Sequence, residues 1–241
     1  MKGTAALLSD ALGVLTETIA SRTFVLLFMP ALAIACGLIG YHIWLEHVVR
    51  SPEFSGGHEA NIGRDRGYGE RYEYVLEALA IAAMLAEYLR TRGFIYLLAA
   101  AVLAGMLFDN AWSVHERIGS ASVALVAPSA EPGTSQYVWA FQIGEQIAFL
   151  IMGLSVLAAM FLCLSRGDRG DNVRVIAVLL FIVPIAGFGV VLDFFKATMH
   201  VEALGMIENA AEMILLAAMA MVAVALASGA RSKHGVPGRS P

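Results

Sequence analysis

A chain of 241 residues with 59% hydrophobic and only 15% charged residues is poorer in charge than soluble domains, which carry about 25%, and reads as a single polytopic membrane domain. A net charge of −4 and a pI near 5.9 exclude a nucleic-acid partner, which needs a concentrated basic face. Cys36 and Cys163 both lie inside apolar runs, which excludes a disulfide framework or a thiolate metal site.

Within residues 1–22, Leu8, Leu12, Leu15 and Ile19 share one helical face with Asp10 and Glu17 opposite. That spacing predicts an amphipathic helix lying on the bilayer or against the bundle, and the acids break any signal-peptide core. Residues 23–228 then predict an all-α bundle of six transmembrane helices, each near the roughly 20 residues that cross about 30 Å of hydrocarbon. The spans are Phe24–Trp44, Tyr72–Leu89, Phe94–Val114, Tyr137–Leu164, Val173–Met199 and Met206–Ala227. Pro30 and Pro184 fall inside spans one and five, where kinks are expected and not ends. Residues 229–241 read as a disordered basic tail.

Basic residues gather in the short connections, around Arg90, Arg92, Arg166, Arg169, Arg231 and Lys233. By the positive-inside rule both termini face the cytoplasm, the 48–71 and 117–136 loops face outward, and the expected location is the bacterial inner (plasma) membrane. Expected partners are membrane lipids, together with a membrane protein docked on the 48–71 loop and the N-terminal helix.

A weak self-similarity runs through the spans. The even ones carry Glu77/Met84, Glu145/Met152 and Glu212/Met219 at one spacing, while the odd ones end in polar residues such as His42, Asp109 and Asp193. Three helical hairpins of one design, a three-fold internal repeat, would explain both.

With this topology every one of those polar groups lies in the outer half of the membrane, and the inner half is almost free of charge. Helical phase pairs Glu208 with Glu212, Asp109 with Glu116, Asp193 with His200 and Gln142 with Glu145 on shared faces, whereas His115 falls off the Asp109 face. Acids facing lipid would each cost about 2.5 to 3.5 kcal/mol at the bilayer centre, so inward-facing stripes around an outward-opening chamber are expected.

Packed carboxylates recruit a cation, and mixed oxygen and imidazole donors suit Zn, Fe or Mn. The candidate metal ligands are Asp109, Glu145, Asp193, His200 and Glu212, then Glu77, His115, Glu116, Glu208 and His42. Acid-rich bundles also hold di-iron centres, but the Glu-x-x-His pair of those proteins is absent here. The functional expectation is a metal-dependent membrane hydrolase or oxidoreductase. The alternatives are a cation- or proton-coupled transporter, or a non-catalytic subunit or assembly factor of a larger membrane complex. Trp44, Trp112, Trp139, Tyr41, Tyr72 and Tyr137 read as the interfacial aromatic belt, and Gly37, Gly40, Gly187 and Gly189 as points of close helix approach.

Overall fold

The computed structural model describes residues 2–45, 61–62, 67–199 and 202–229, and among these every regular element is helical. In chain order they are α1 (Lys2–Ile19), α2 (Arg22–Ile43), α3 (Tyr68–Thr91), α4 (Phe94–Trp112), α5 (Val114–Val126), α6 (Ser135–Arg166), α7 (Arg169–Leu179), α8 (Ile182–Met199) and α9 (Glu202–Ala227). Most of the 48–71 loop and nearly all of the C-terminal tail lie outside the described residues.

Among the described residues five helical stretches are long and apolar enough to cross a membrane: Arg22–Ile43, Phe94–Trp112, Ser135–Leu162, Arg169–Gly189 and Leu204–Ala227. α3, expected as the second span, has 24 residues and so a length of about 36 Å, but Glu70, Glu73, Glu77, Glu87 and Arg90 dilute its apolar character. It survives as a long helix because its acids turn into the protein, with Glu77 and Glu87 both buried.

α9 is the axis of the bundle, in contact with α1, α2, α3, α7 and α8. Its buried positions alternate methionine with small residues, among them Met213, Ala217, Met219, Ala220, Val222 and Ala223, all without exposed surface. Alanines let neighbouring backbones come close while methionine fills the irregular gaps between them. α3 lies between α9 and α4, and Leu76, Ala80, Met84, Ala99 and Leu103 complete the core at that junction. α2 packs chiefly on α9 and only lightly on α3.

Several expectations are corrected here. The expected span to Val114 and the expected 117–136 loop are both revised: α4 stops at Trp112, Ser113 adopts the left-handed conformation (φ 46°, ψ 51°), and α5 begins at once and runs to Val126. α5 then lies along α6, where a Cβ on Gly144 would stand 2.8 Å from Gly119 Cα and 2.8 Å from the Ile118 carbonyl oxygen. Among the described residues Gly37, Gly40 and Gly187 have no close neighbour, whereas Gly189 lies against the Glu212 carboxylate.

α2 runs unbroken through Pro30. Pro184 instead stands in the first turn of α8, and the helix is interrupted after Leu179. A proline ring clashes with the carbonyl four residues earlier, and the break falls at that position. α1 does pack on the bundle, through Ala11 against Val173 and Ile176 of α7, and Arg169 reaches Asp10 at 2.7 Å. The expected apolar face divides: Leu15 packs partly buried against the core, as do Leu7 and Val14, whereas Leu8, Leu12 and Ile19 are exposed. Ala11 permits the closest approach of α1 to α7.

The α5–α6 contact gives a direct test. Gly144→Ala overpacks a backbone-to-backbone approach and is expected to destabilise the chain in detergent by about 1–3 kcal/mol, read as a lowered thermal or denaturant midpoint. Gly153→Ala, on the same helix with nothing within 4 Å, is expected to leave the midpoint unchanged.

Candidate functional site

The N-terminal halves of α3 and α9 and the C-terminal end of α4 bring their acids together. Glu77 has no exposed surface; its Oε1 accepts a hydrogen bond from Asn110 Nδ2 at 2.8 Å. Its Oε2 is buried with no hydrogen-bond partner among the described residues. Asp109, Glu212 and Glu70 lie within electrostatic reach of Glu77, and Glu73 in turn feels Glu212, Glu77 and Glu70. Gly189 of α8 makes room for this group, since a Cβ there would stand 2.7 Å from Glu212 Oε1. Tyr74 ties the α3 side to α4, its hydroxyl donating to Glu70 and, at 3.3 Å, to the Asn110 carbonyl.

Asp109 joins this group to a second one. Its Oδ1 accepts the backbone N–H of His115 at 3.0 Å and its Oδ2 accepts His115 Nδ1 at 2.9 Å. The left-handed residue at Ser113 makes this pairing, because it turns the chain back between the two residues. In a continuous helix His115 would point away, which is why helical phase set it apart from Asp109 and grouped Glu116 there instead. The imidazole stacks on Phe149 of α6, with centroids 5.2 Å apart, and Glu145 lies within electrostatic reach. Gln142 Nε2 donates to Glu145 Oε2 at 3.1 Å, as their three-residue spacing requires.

Of the sequence candidates, then, Glu77, Asp109 and Glu212 converge, and His115 and Glu145 adjoin them through Asp109. Glu116 lies beside His115 at the start of α5. Glu208 is partly exposed on α9, and His42 is buried on α2. Asp193 falls within α8 but its side chain is outside the described residues, as is His200. Among the described residues no three His, Cys, Asp or Glu side chains are grouped to share a metal ion; the direct contacts are pairs.

Sequence reading missed Asn110, a neutral residue inside FDNAW whose amide is the donor Glu77 depends on. It also undervalued the opposite end of the bundle. Glu87 is buried there, accepting from Arg90 at 2.5 Å with Arg174 3.9 Å away, and Tyr96 donates to Asp171 at 3.0 Å. The end of the bundle expected to be almost free of charge therefore carries charged groups, and those named here are paired.

His115 gives a pH test. Burial disfavours the imidazolium, but the hydrogen bond and charge of Asp109, with Glu145 and Glu116 adding, outweigh it and hold the pKa above the ordinary 6.5. The folded state thus favours the protonated ring, and the resulting stability is complete below about pH 6.5 and fades as pH rises through the folded value. The difference in melting temperature between wild type and His115→Gln is expected to be largest near pH 6 and to shrink toward about pH 9. Comparison with protein-family models, with curated proteins and with solved structures finds no match.

Proposed function

We propose that this chain is a multi-pass membrane protein that binds a cation in the acid chamber between α3, α4 and α9. The observation that carries the reading is Glu77, a wholly buried carboxyl with one oxygen lacking any described partner and further acids in electrostatic reach. Anionic groups so placed are stabilised by an opposite charge more readily than by any single amide donor. The proposed occupant is a divalent metal, Zn, Fe or Mn, which would supply Lewis-acid or redox chemistry for a hydrolase or oxidoreductase. Because the described side chains meet in pairs, such an ion would draw the carboxylates in around Glu77 Oε2.

In this reading α3 is a sixth crossing, with its acids screened from lipid by α4 and α9. Arg90, Arg92, Arg169 and Arg174 stand at one end of the bundle and the denser gathering of acids at the other, which supports a cytoplasmic placement of both termini in an inner (plasma) membrane. The light packing of α2 on α3 gives the three-hairpin repeat little support.

Metal content by elemental analysis, on full-length protein purified without chelators, tests the proposal. About one equivalent of metal in wild type, lost in Glu77→Gln and in Glu212→Gln, is expected. No stoichiometric metal in wild type would overturn it.

One observation favours a second reading, in which the chain is a cation- or proton-coupled transporter. Glu87 is a buried carboxylate ten residues beyond Glu77 on α3, or about 15 Å along the helix, and provides an ionisable station near the opposite face. Proton or cation flux into proteoliposomes, abolished in Glu77→Gln, is then expected; an absence of wild-type flux removes this alternative.

A further inference from the structure

Asn110 is held by α3 at two points. Its side-chain Nδ2 donates to Glu77 Oε1 at 2.8 Å, and its backbone carbonyl accepts the Tyr74 hydroxyl at 3.3 Å. Tyr74 and Glu77 are three apart and so share a face of α3, which makes the two contacts a clamp on one residue of α4. Asn110 stands in the last turn of that helix, just ahead of the left-handed Ser113. It is only partly buried, whereas Glu77 has no exposed surface.

This clamp governs how Glu77 can meet an ion. Oε1 is committed to the amide, while Oε2 is buried with no hydrogen-bond partner among the described residues. A carboxylate that chelates turns both oxygens toward one ion, which would draw Oε1 away from Asn110. One that binds through a single oxygen keeps the amide bond and gains the ion at Oε2. Asp109 is committed further, with Oδ1 on the His115 backbone N–H and Oδ2 on the ring. Glu77 and Asp109 therefore both favour ligation through at most one oxygen. Cations differ in what they ask of such groups. Ca²⁺ takes about six to eight oxygens at about 2.3–2.6 Å, often with a bidentate carboxylate among them. Zn²⁺ is satisfied by about four ligands, with oxygens at about 2.0–2.2 Å.

We infer that Asn110 is a positioning residue that holds Glu77 as a one-oxygen ligand and so sets the chamber's preference for a small, four-coordinate cation, Zn²⁺, over Ca²⁺. The inference rests on the cation reading of the chamber and adds to it the coordination mode and the residue that enforces it. Asn110 acts through Glu77, as the hydrogen-bonded partners of metal ligands do in general, where their loss costs about 10- to 100-fold in affinity. An amide suits the role better than a guanidinium or ammonium, because it fixes Oε1 without neutralising the charge that Oε2 offers.

The test uses full-length protein in detergent, stripped with a chelator that is then removed, and titrated calorimetrically with Zn²⁺ alone and with Ca²⁺ alone. Asn110→Leu removes the amide donor and keeps a side chain of similar reach. Its affinity for Zn²⁺ is expected to fall about tenfold or more while that for Ca²⁺ holds or rises, so the preference for Zn²⁺ narrows by at least the same factor. Asn110→Gln, which retains the amide, is expected to restore part of that preference. A merely structural role would lower the melting temperature and weaken both ions alike, so an unchanged ratio in Asn110→Leu overturns the inference. Asn110→Asp, which keeps the shape and loses the donor, serves if Asn110→Leu does not fold; its ratio is expected to shift toward Ca²⁺, and an unshifted ratio is again fatal. Wild type that binds Ca²⁺ as tightly as Zn²⁺ also overturns the inference. Zn²⁺ binding that is lost in Glu77→Gln but keeps its preference in the Asn110 variants removes the inference and leaves the cation reading standing, whereas wild type that binds neither ion removes both.

Discussion

Glu77 sets the terms on which its end of the bundle is assembled. Burying a carboxyl group with one oxygen unsatisfied costs free energy in either protonation state, and the one hydrogen bond from Asn110 returns only part of it, about 0.5–3 kcal/mol. Leu76, Ala80 and Met84 surround the same stretch of α3 and are nearly or wholly buried, so neither water nor lipid makes up the difference there. The remaining cost falls on the packing of α3 between α4 and α9. A group that weakens the structure holding it, and that has acids from two other helices within electrostatic reach, has the physical profile of a functional side chain.

The turn at Ser113 is the second determinant, and it works through Asp109. A residue with a Cβ at φ 46° is disfavoured, and its cost is offset locally because Asp109 then receives both the His115 backbone N–H and the ring. The same change of direction lays α5 along α6, which presents Glu145 and Phe149 to the imidazole. A single backbone conformation therefore builds the Asp109–His115–Glu145 arrangement.

Much of this was legible in the sequence, for identifiable reasons. Apolar length predicted six spans, of which five helical stretches are long and apolar enough among the described residues, and the cost of acids in lipid turned Glu77, Asp109 and Glu145 inward, where they are buried. What could not be read was the consequence of one serine. No glycine or proline marks Ser113, so continuous helical phase was carried through it and placed His115 on the wrong face. Asn110 carried no charge to draw notice. The Tyr96–Asp171 bond joins residues 75 positions apart, and only the packing of α4 on α7 brings such a pair within reach.

The two ends of the bundle treat charge in opposite ways. At the end that holds Glu87 these acids have partners from the same or another helix: Glu87 with Arg90 and Arg174, Asp10 with Arg169, Asp171 with the Tyr96 hydroxyl. These bonds fasten α3 to α7, α1 to α7 and α4 to α7. Exposed pairs such as Asp10–Arg169 contribute little energy, yet the buried Glu87 could not be left without a cation except at several kcal/mol. At the other end Glu70, Glu77 and Glu212 lie within electrostatic reach of Glu73, and Asp109 within reach of Glu77. The hydrogen bonds identified there run from the Asn110 amide to Glu77, from the Tyr74 hydroxyl to Glu70, and from the His115 backbone N–H and ring to Asp109. The two ends are thus held by different chemistry, guanidinium pairs that tie one helix to another at the first and amide, hydroxyl and imidazole contacts beside gathered acids at the second.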